Sequence, residues 1–140
     1  MKIDLKRIDN DFKMEAVNET GNTIILDGSP KVGGHNQGMR PMQVLLAGVG
    51  ACSAIDVISI LKKQRQTIDD LQISVEGDRQ KDAEPSLYEN VKVVYHVKGD
   101  VDEAKLKRAL ELSFTKYCSV SKTLEGAGAE ITWDYVLNGE

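Results

Sequence analysis

PMQVLLAGVGACSAIDVISILKKQR, residues Pro41–Arg65, is the longest apolar run in the chain. Proline lacks a backbone N–H and is tolerated at the first helical position, so Pro41 predicts a helix start. From Val44 to Ile55 nearly every residue is apolar or small, on all sides rather than along one stripe, which is the pattern of a buried helix. Gly48, Gly50 and Ala51 leave little side chain near the axis and invite the close approach of another backbone. Each mid-helix glycine costs about 1 kcal/mol relative to alanine, so close packing must offset them. Lys62, Lys63 and Arg65 place cations at the negative end of the helix dipole. A membrane span needs about 20 predominantly apolar residues. Here the apolar core is shorter and interrupted by Ser53, Asp56 and Ser59, and intramembrane acids are rare. The expectation is a core helix, with Cys52 at its centre. Taken alone, that cysteine reads as an inert buried thiol, because free cysteine is among the most buried residue types.

The totals support the same class. A chain of 140 residues predicts one domain spanning residues 1–140, large enough to bury about 68–70% of its unfolded surface without a disulfide or metal. With 41% hydrophobic and 29% charged residues it has the composition of a globular protein. A net charge of −4 and a pI near 5.2 argue against a nucleic acid or an anionic membrane as partner. KIDLKRIDNDF at the N-terminus is too polar for a signal peptide, and a cytoplasmic location is expected. Two cysteines in a reducing compartment are seldom a structural staple; when paired they are usually redox-active.

Ile3 and Leu5 alternate within Lys2–Arg7, as do Phe12, Met14 and Ala16 within Phe12–Ala16, predicting half-buried strands. Glu19-Thr20-Gly21-Asn22 is turn chemistry, and Thr23–Leu26 completes a hairpin with the strand before it. Asp27–Arg40 (DGSPKVGGHNQGMR) has four glycines and no hydrophobic period. A structureless loop of that length is either functional or a flexible connector. Beyond the helix, Leu71, Ile73 and Val75 alternate, then Val91, Val93, Tyr95 and Val97, with the charged Asp78–Glu89 as an exposed connection. Leu106, Leu110, Phe114 and Tyr117 mark an amphipathic helix over Asp102–Tyr117. Ser119–Glu125 adds one or two helical turns, stopped by Gly126 and Gly128, and Ile131, Trp133, Tyr135 and Leu137 form a last strand. The order βββ–α–ββ–αα–β predicts an α+β domain with mostly antiparallel sheet. A helix apolar on every side needs more cover than one sheet provides. A second copy in a two-fold homodimer is the economical source.

Local chemistry separates the two thiols. If Ser119 or Ser121 caps the helical turns after Cys118, the thiol sits at a helix N-terminus, with Lys116 and Lys122 nearby, where a thiolate is favoured. Cys52 has apolar neighbours and Asp56 one turn on, both unfavourable to its thiolate, so it needs an outside cation. On this local reading Cys118 is the readier thiolate.

PMQVLLAGVGAC, ending in Cys52, and YCSVSKTLEGAGAEI, around Cys118, together resemble the osmotically inducible protein C / organic hydroperoxide resistance (OsmC/Ohr) family, over essentially the whole chain. The resemblance implies an intertwined homodimer whose antiparallel sheets wrap two central helices, with each active site at the subunit interface. It implies a thiol peroxidase without cofactor or metal that reduces organic hydroperoxides and is recycled by a dithiol reductant. Cys52 would attack the peroxide and Cys118 would resolve the sulfenic acid as a disulfide. The family uses an arginine to support the attacking thiolate. Arg40 is the nearest in sequence and Arg7 is another candidate. In the hydroperoxide-resistance branch a glutamate follows the helix-starting proline and orients that arginine; this chain has Met42 there, with Glu15 or Glu19 as other carboxylates. The chain thus resembles a divergent member. The alternative is a non-enzymatic dimer of the same fold that binds a small apolar ligand or senses redox state. His35, His96 and the two cysteines match no zinc spacing, His96 reads as a solvated strand residue, Gly33-Gly34 is no phosphate loop, and Trp133 reads as core.

Overall fold

A computed structural model of the chain describes residues 1–139. The backbone groups into two compact units, Met1–Leu45 and Leu46–Glu140.

The first unit is a three-stranded antiparallel sheet, β1 (Ile3–Arg7), β2 (Met14–Asn18) and β3 (Thr23–Leu26), in the order β1-β2-β3. β2 starts two residues later than its alternation suggests. Asp9 Oδ1 accepts the amides of Asp11 and Lys13, and Ile8 N–H donates to the Lys13 carbonyl, so the turn holds the chain until Lys13. Register sets Leu5 opposite Ala16, and Ala16 opposite Ile24. Ala16 is buried, yet Leu5 and Ile24 keep 60% and 51% of their surface. The period of two is present, but the strands predicted as half-buried have an apolar face left open within the chain.

The loop after β3 is not structureless. It contains a 3₁₀ turn, Pro30–Val32, and is organised by Asp27. This buried carboxylate accepts the amides of Gly28, His35 and Gln37. Burial alone would push its pKa up; the three backbone donors outweigh that and hold it below the ordinary value. Gly34 is required here, because a Cβ would collide with the Gly28 carbonyl.

Helix α1 (Pro41–Lys63) begins at the end of this unit. Gln43 Oε1 accepts the Arg40 amide at 2.9 Å, half of a capping box around the proline start. At the other end Gln66 N–H reaches the Leu61 carbonyl at 3.0 Å across Arg65, whose φ of 58° ends the helix in a left-handed cap. By length and composition α1 is apolar enough to cross a membrane. In this fold its Ser53 and Asp56 are hydrogen-bonded to protein groups.

The second unit carries β4 (Thr67–Arg79), β5 (Tyr88–Asp100) and β6 (Glu130–Leu137), in the order β4-β5-β6. β4 and β5 are antiparallel, whereas β6 lies parallel to β5. Parallel strands need a long crossover, supplied by α2 (Glu103–Leu112), a π-helical turn (Ser113–Tyr117) and α3 (Ser119–Gly126). The amphipathic helix expected to run to Tyr117 therefore changes hydrogen-bonding pattern at Ser113. Asp102 caps α2 by accepting the Lys105 amide.

The core of this unit forms from the inner face of β5 (Val91, Val93, Tyr95, Val97), α1 (Val49, Val57, Leu61) and α2 (Leu106, Ala109, Leu110). Each large apolar side chain so buried contributes about 1.5–3 kcal/mol. A Cβ on Gly50 would meet Val75 Cγ2 at 3.1 Å, and one on Gly48 would meet Val120 Cγ1 at 3.4 Å. These glycines let α1 approach β4 and α3; Ala51 is exposed. Phe114 stacks on the half-buried Trp133 at 6.4 Å. The helix predicted to be covered all round buries one stripe, Val49, Ser53, Val57 and Leu61. Ile55 keeps 68% of its surface and Ile58 42%.

Candidate active site

Both cysteines belong to the second unit, and both are free. Cys52 lies mid-way along α1 and is half-buried. Cys118 follows the π-helical turn and is fully buried. Cys52 is near enough to Cys118 to add to the rise of its pKa, although 65 residues separate them in sequence.

Cys118 is itself the cap of α3, the place expected for Ser119 or Ser121: its Sγ accepts the Ser121 amide at 3.5 Å. The Ser121 hydroxyl donates to the Cys118 carbonyl at 3.0 Å. The helix end nonetheless does not make Cys118 the readier thiolate. Burial pushes its pKa above the ordinary 9.0, outweighing the hydroxyl and amide of Ser121, and the neighbouring Cys52 adds to the rise. The lysines expected to assist are engaged elsewhere. Lys122 Nζ pairs with Glu125 at 2.9 Å, and Lys116 Nζ lies 5.2 Å above the Tyr117 ring.

The surrounding groups form a largely buried polar cluster whose pairings the sequence does not show. Ser53, next to Cys52, donates its hydroxyl proton to the Gly50 carbonyl at 3.1 Å. Its oxygen lies 2.6 Å from Tyr95 Oη, and either hydroxyl can donate in that pair. Burial drives the Tyr95 pKa far up, against the help of Ser53, and the positions of Cys118, Asp56 and Cys52 add to the rise. Asp56, one turn after Cys52, accepts the buried Ser113 hydroxyl at 2.9 Å. The partners lie 42 and 57 residues apart, beyond any local pattern.

Both raised groups, Cys118 and Tyr95, are proton-retaining in the folded state and release protons more readily when unfolded. Their contribution to stability is complete below the unfolded pKa and declines as pH rises through the folded one. Thermal stability of the reduced protein should therefore fall above about pH 9, and Cys118→Ala should flatten part of that fall in melts across pH. An identical alkaline slope in the variant would contradict the burial argument for Cys118.

In the first unit, Arg40 donates its guanidinium to the Gly38 carbonyl at 2.8 Å and to Asn36 Oδ1 at 3.0 Å. Met42 is the half-buried second residue of α1, Glu15 is half-buried on β2, and Arg7 and Glu19 are exposed. His96 is exposed on β5, whereas His35 Nε2 pairs with Asp11 at 2.6 Å. That contact, with the nearby carboxylates, raises the His35 pKa against the effect of burial. Asp9, Asp11 and His35 place their ligand atoms within 4.8 Å of one another, and all three side chains are on or near the surface.

A family model described as "OsmC-like protein" matches residues 34–134. Protein YhfA of Escherichia coli K12 is 38% identical over 117 residues, 83% of each chain. The solved structure of a hypothetical protein from Aquifex aeolicus VF5 superposes with a TM-score of 0.80 at 30% identity, covering 99% of this chain and 97% of that one. An organic hydroperoxide resistance protein of Legionella pneumophila shares the fold, with a TM-score of 0.69 at 15% identity and 96% of each chain covered. The match over residues 34–134 takes in both cysteines, and the chain belongs to the OsmC-like protein family.

Proposed function

We propose that the chain is a dithiol peroxidase for organic hydroperoxides, with Cys52 attacking and Cys118 resolving. The observation that supports it most is that a half-buried thiol, Cys52, neighbours a fully buried one, Cys118, closely enough to influence its ionisation. The attacking thiol must meet a substrate; the resolving thiol need only meet its partner. Burial thus favours the roles opposite to those of local sequence chemistry. The hydroperoxide resistance named for the Legionella relative agrees with this substrate class.

In the first step the Cys52 thiolate attacks the terminal oxygen of ROOH. The S–O bond forms, the O–O bond breaks, and the leaving alkoxide takes up a proton to give ROH. Cys52 is now a sulfenic acid, reducible by a thiol. The Cys118 sulfur then attacks the Cys52 sulfur, S–S replaces S–O, and the departing hydroxide leaves with the Cys118 proton as water. An external dithiol restores both thiols by exchange, a cycle suited to a reducing cytoplasm. Steady-state turnover with cumene hydroperoxide and a small dithiol tests the reading. Faster reduction of cumene hydroperoxide than of hydrogen peroxide is expected; no dithiol-dependent turnover with either would overturn it.

Arg40 is retained as the candidate cation for the Cys52 thiolate, because a guanidinium is charged at every working pH. Arg40→Ala should move the pH–rate profile of Cys52 oxidation to higher pH, read by stopped-flow. An unchanged profile removes Arg40 from the mechanism.

The same reading includes a two-fold homodimer. Leu5 and Ile24 are exposed on one sheet face, Phe12 keeps 50% of its surface, and Ile55 and Ile58 are exposed on α1. Burying such surface contributes about 25 cal/mol per Å², and a second copy is the common way for a chain to cover it. Light scattering on a sizing column should give twice the 15.4 kDa chain mass at micromolar concentration, and Leu5→Glu should shift it toward monomer. A well-folded wild-type monomer would contradict this.

One observation favours the non-enzymatic alternative. An apolar cleft of about 280 Å³ on the first unit is lined by Leu5, Phe12, Met14, Leu26 and Pro41. A stoichiometric apolar ligand in native mass spectra, without peroxide turnover, would select that reading.

A further inference from the structure

Ser113 is buried, and both its side chain and its main chain are committed within the candidate site. Its hydroxyl donates to Asp56 Oδ2 at 2.9 Å, and its carbonyl accepts the Cys118 amide at 2.8 Å. Asp56 lies one turn beyond Cys52 on α1, so Ser113 links the turn carrying one thiol to the turn carrying the other. The bond to Cys118 spans five residues and closes the π-helical turn Ser113–Tyr117. A π turn holds one residue more than an α turn, and such turns recur at functional sites. Here the extra residue changes the direction in which the chain leaves the helix at Cys118, whose backbone is extended (φ −72°, ψ 100°). A purely structural contact at this point needs no hydroxyl, since buried polar groups cost free energy unless hydrogen-bonded and an apolar pair would pack as well.

We infer that Ser113, held by Asp56, is a positioning residue that sets the Cys118 sulfur against Cys52 and thereby governs closure of the disulfide. The role rests on the dithiol reading above: Cys52–SOH and Cys118–SH condense to the disulfide and water, a step whose rate depends on how the two sulfurs are presented. Ser113→Ala removes the hydroxyl and keeps the carbonyl. The turn carrying Cys118 then loses this hydroxyl tie to α1, while the Cys52 side chain itself is unchanged.

Two measurements separate this inference from the peroxidase reading. In the first, reduced and oxidised protein are equilibrated in dithiothreitol redox buffers, without peroxide, and read by intact mass. Loss of a hydrogen bond to a charged acceptor supports about a tenfold fall in the equilibrium constant for closure. For a two-electron couple that makes the potential about 30 mV less negative. Ser113→Thr, which keeps the hydroxyl, should match wild type; Asp56→Ala should shift the potential as Ser113→Ala does, and the double variant should shift it no further. In the second, cumene hydroperoxide is added with dimedone. Ser113→Ala should accumulate more trapped Cys52 sulfenic acid than wild type does.

A wild-type potential in both Ser113→Ala and Asp56→Ala would overturn the inference and leave the peroxidase reading standing. Shifted potentials in a protein that reduces no hydroperoxide would sustain the positioning role and sink the peroxidase. Should Ser113→Ala fail to fold by circular dichroism, Asp56→Ala and Ser113→Thr still decide the result. Equal disturbance by Ser113→Thr and Asp56→Ala would show that packing volume, not the hydroxyl, matters.

Discussion

Cys52→Ser should reduce organic hydroperoxides no faster than buffer does, with its fold and oligomeric state unchanged. A serine hydroxyl at this position lacks a thiolate to attack the O–O bond, and Cys118 cannot substitute for it. Cys118 is fully buried, and its raised pKa keeps the proton on sulfur through the neutral range. Cys118→Ser should behave differently. Its first encounter with peroxide should proceed at the wild-type rate and stop at the Cys52 sulfenic acid, so that turnover falls while single-turnover oxidation survives. A dithiol-dependent peroxidase assay beside stopped-flow oxidation distinguishes the two. Residual turnover in Cys52→Ser comparable to wild type would mean that Cys118 attacks, and the assignment by burial would be reversed.

Gly99→Ala should be among the most destabilising single changes in the second unit. Gly99 has φ of 144° and sits opposite Ile68 at the bulge that admits an extra residue into β4. A Cβ there would collide with the Thr67 carbonyl and come within 2.9 Å of the Asp69 amide. Backbone atoms in a paired ladder cannot turn aside as a flexible side chain can. The Asn138 side chain accepts the Gly99 amide at 2.9 Å and donates to its carbonyl at 3.0 Å, and that clamp would be lost with the bulge. Left-handed strain and a backbone collision together predict a loss of about 3 kcal/mol or more, read by urea denaturation. Gly128→Ala is the control, since its φ of 104° is also positive but a Cβ there meets nothing within 4 Å. Equal losses in both would show that conformation alone, rather than the collision, sets the cost.

How much of this could be read beforehand depends on whether the cause is local. The α1 bounds follow from the proline at one end and the basic turn at the other. Thr23–Leu26 appears where β-branched residues follow a turn. β2 starts late because Asp9 extends a turn through two amide bonds, a detail that alternation does not encode. The parallel pairing of β6 with β5 is invisible to a period of two, which is the same for either direction. It follows from the helical connection between them. The pair of cysteines was legible only through the two motifs around them. The character of Cys118 was misjudged locally because a helix N-terminus and two lysines can be counted in sequence, whereas burial under the rest of the unit cannot. The bonds that join Tyr95 to Ser53 and Ser113 to Asp56 went unseen for the same reason: each residue looks like an ordinary strand or helix position until a partner distant in sequence arrives. Asp27, likewise, looks like a turn residue and is the organiser of a loop.

The central claim is that Cys52 and Cys118 together give two electrons to a hydroperoxide. Intact-mass analysis of the fully reduced protein after one equivalent of cumene hydroperoxide tests it most directly. The account predicts a loss of two hydrogens per chain, one peptide joining Cys52 to Cys118 within a single chain, and one equivalent of cumyl alcohol. A chain of unchanged mass with the hydroperoxide still present would contradict it.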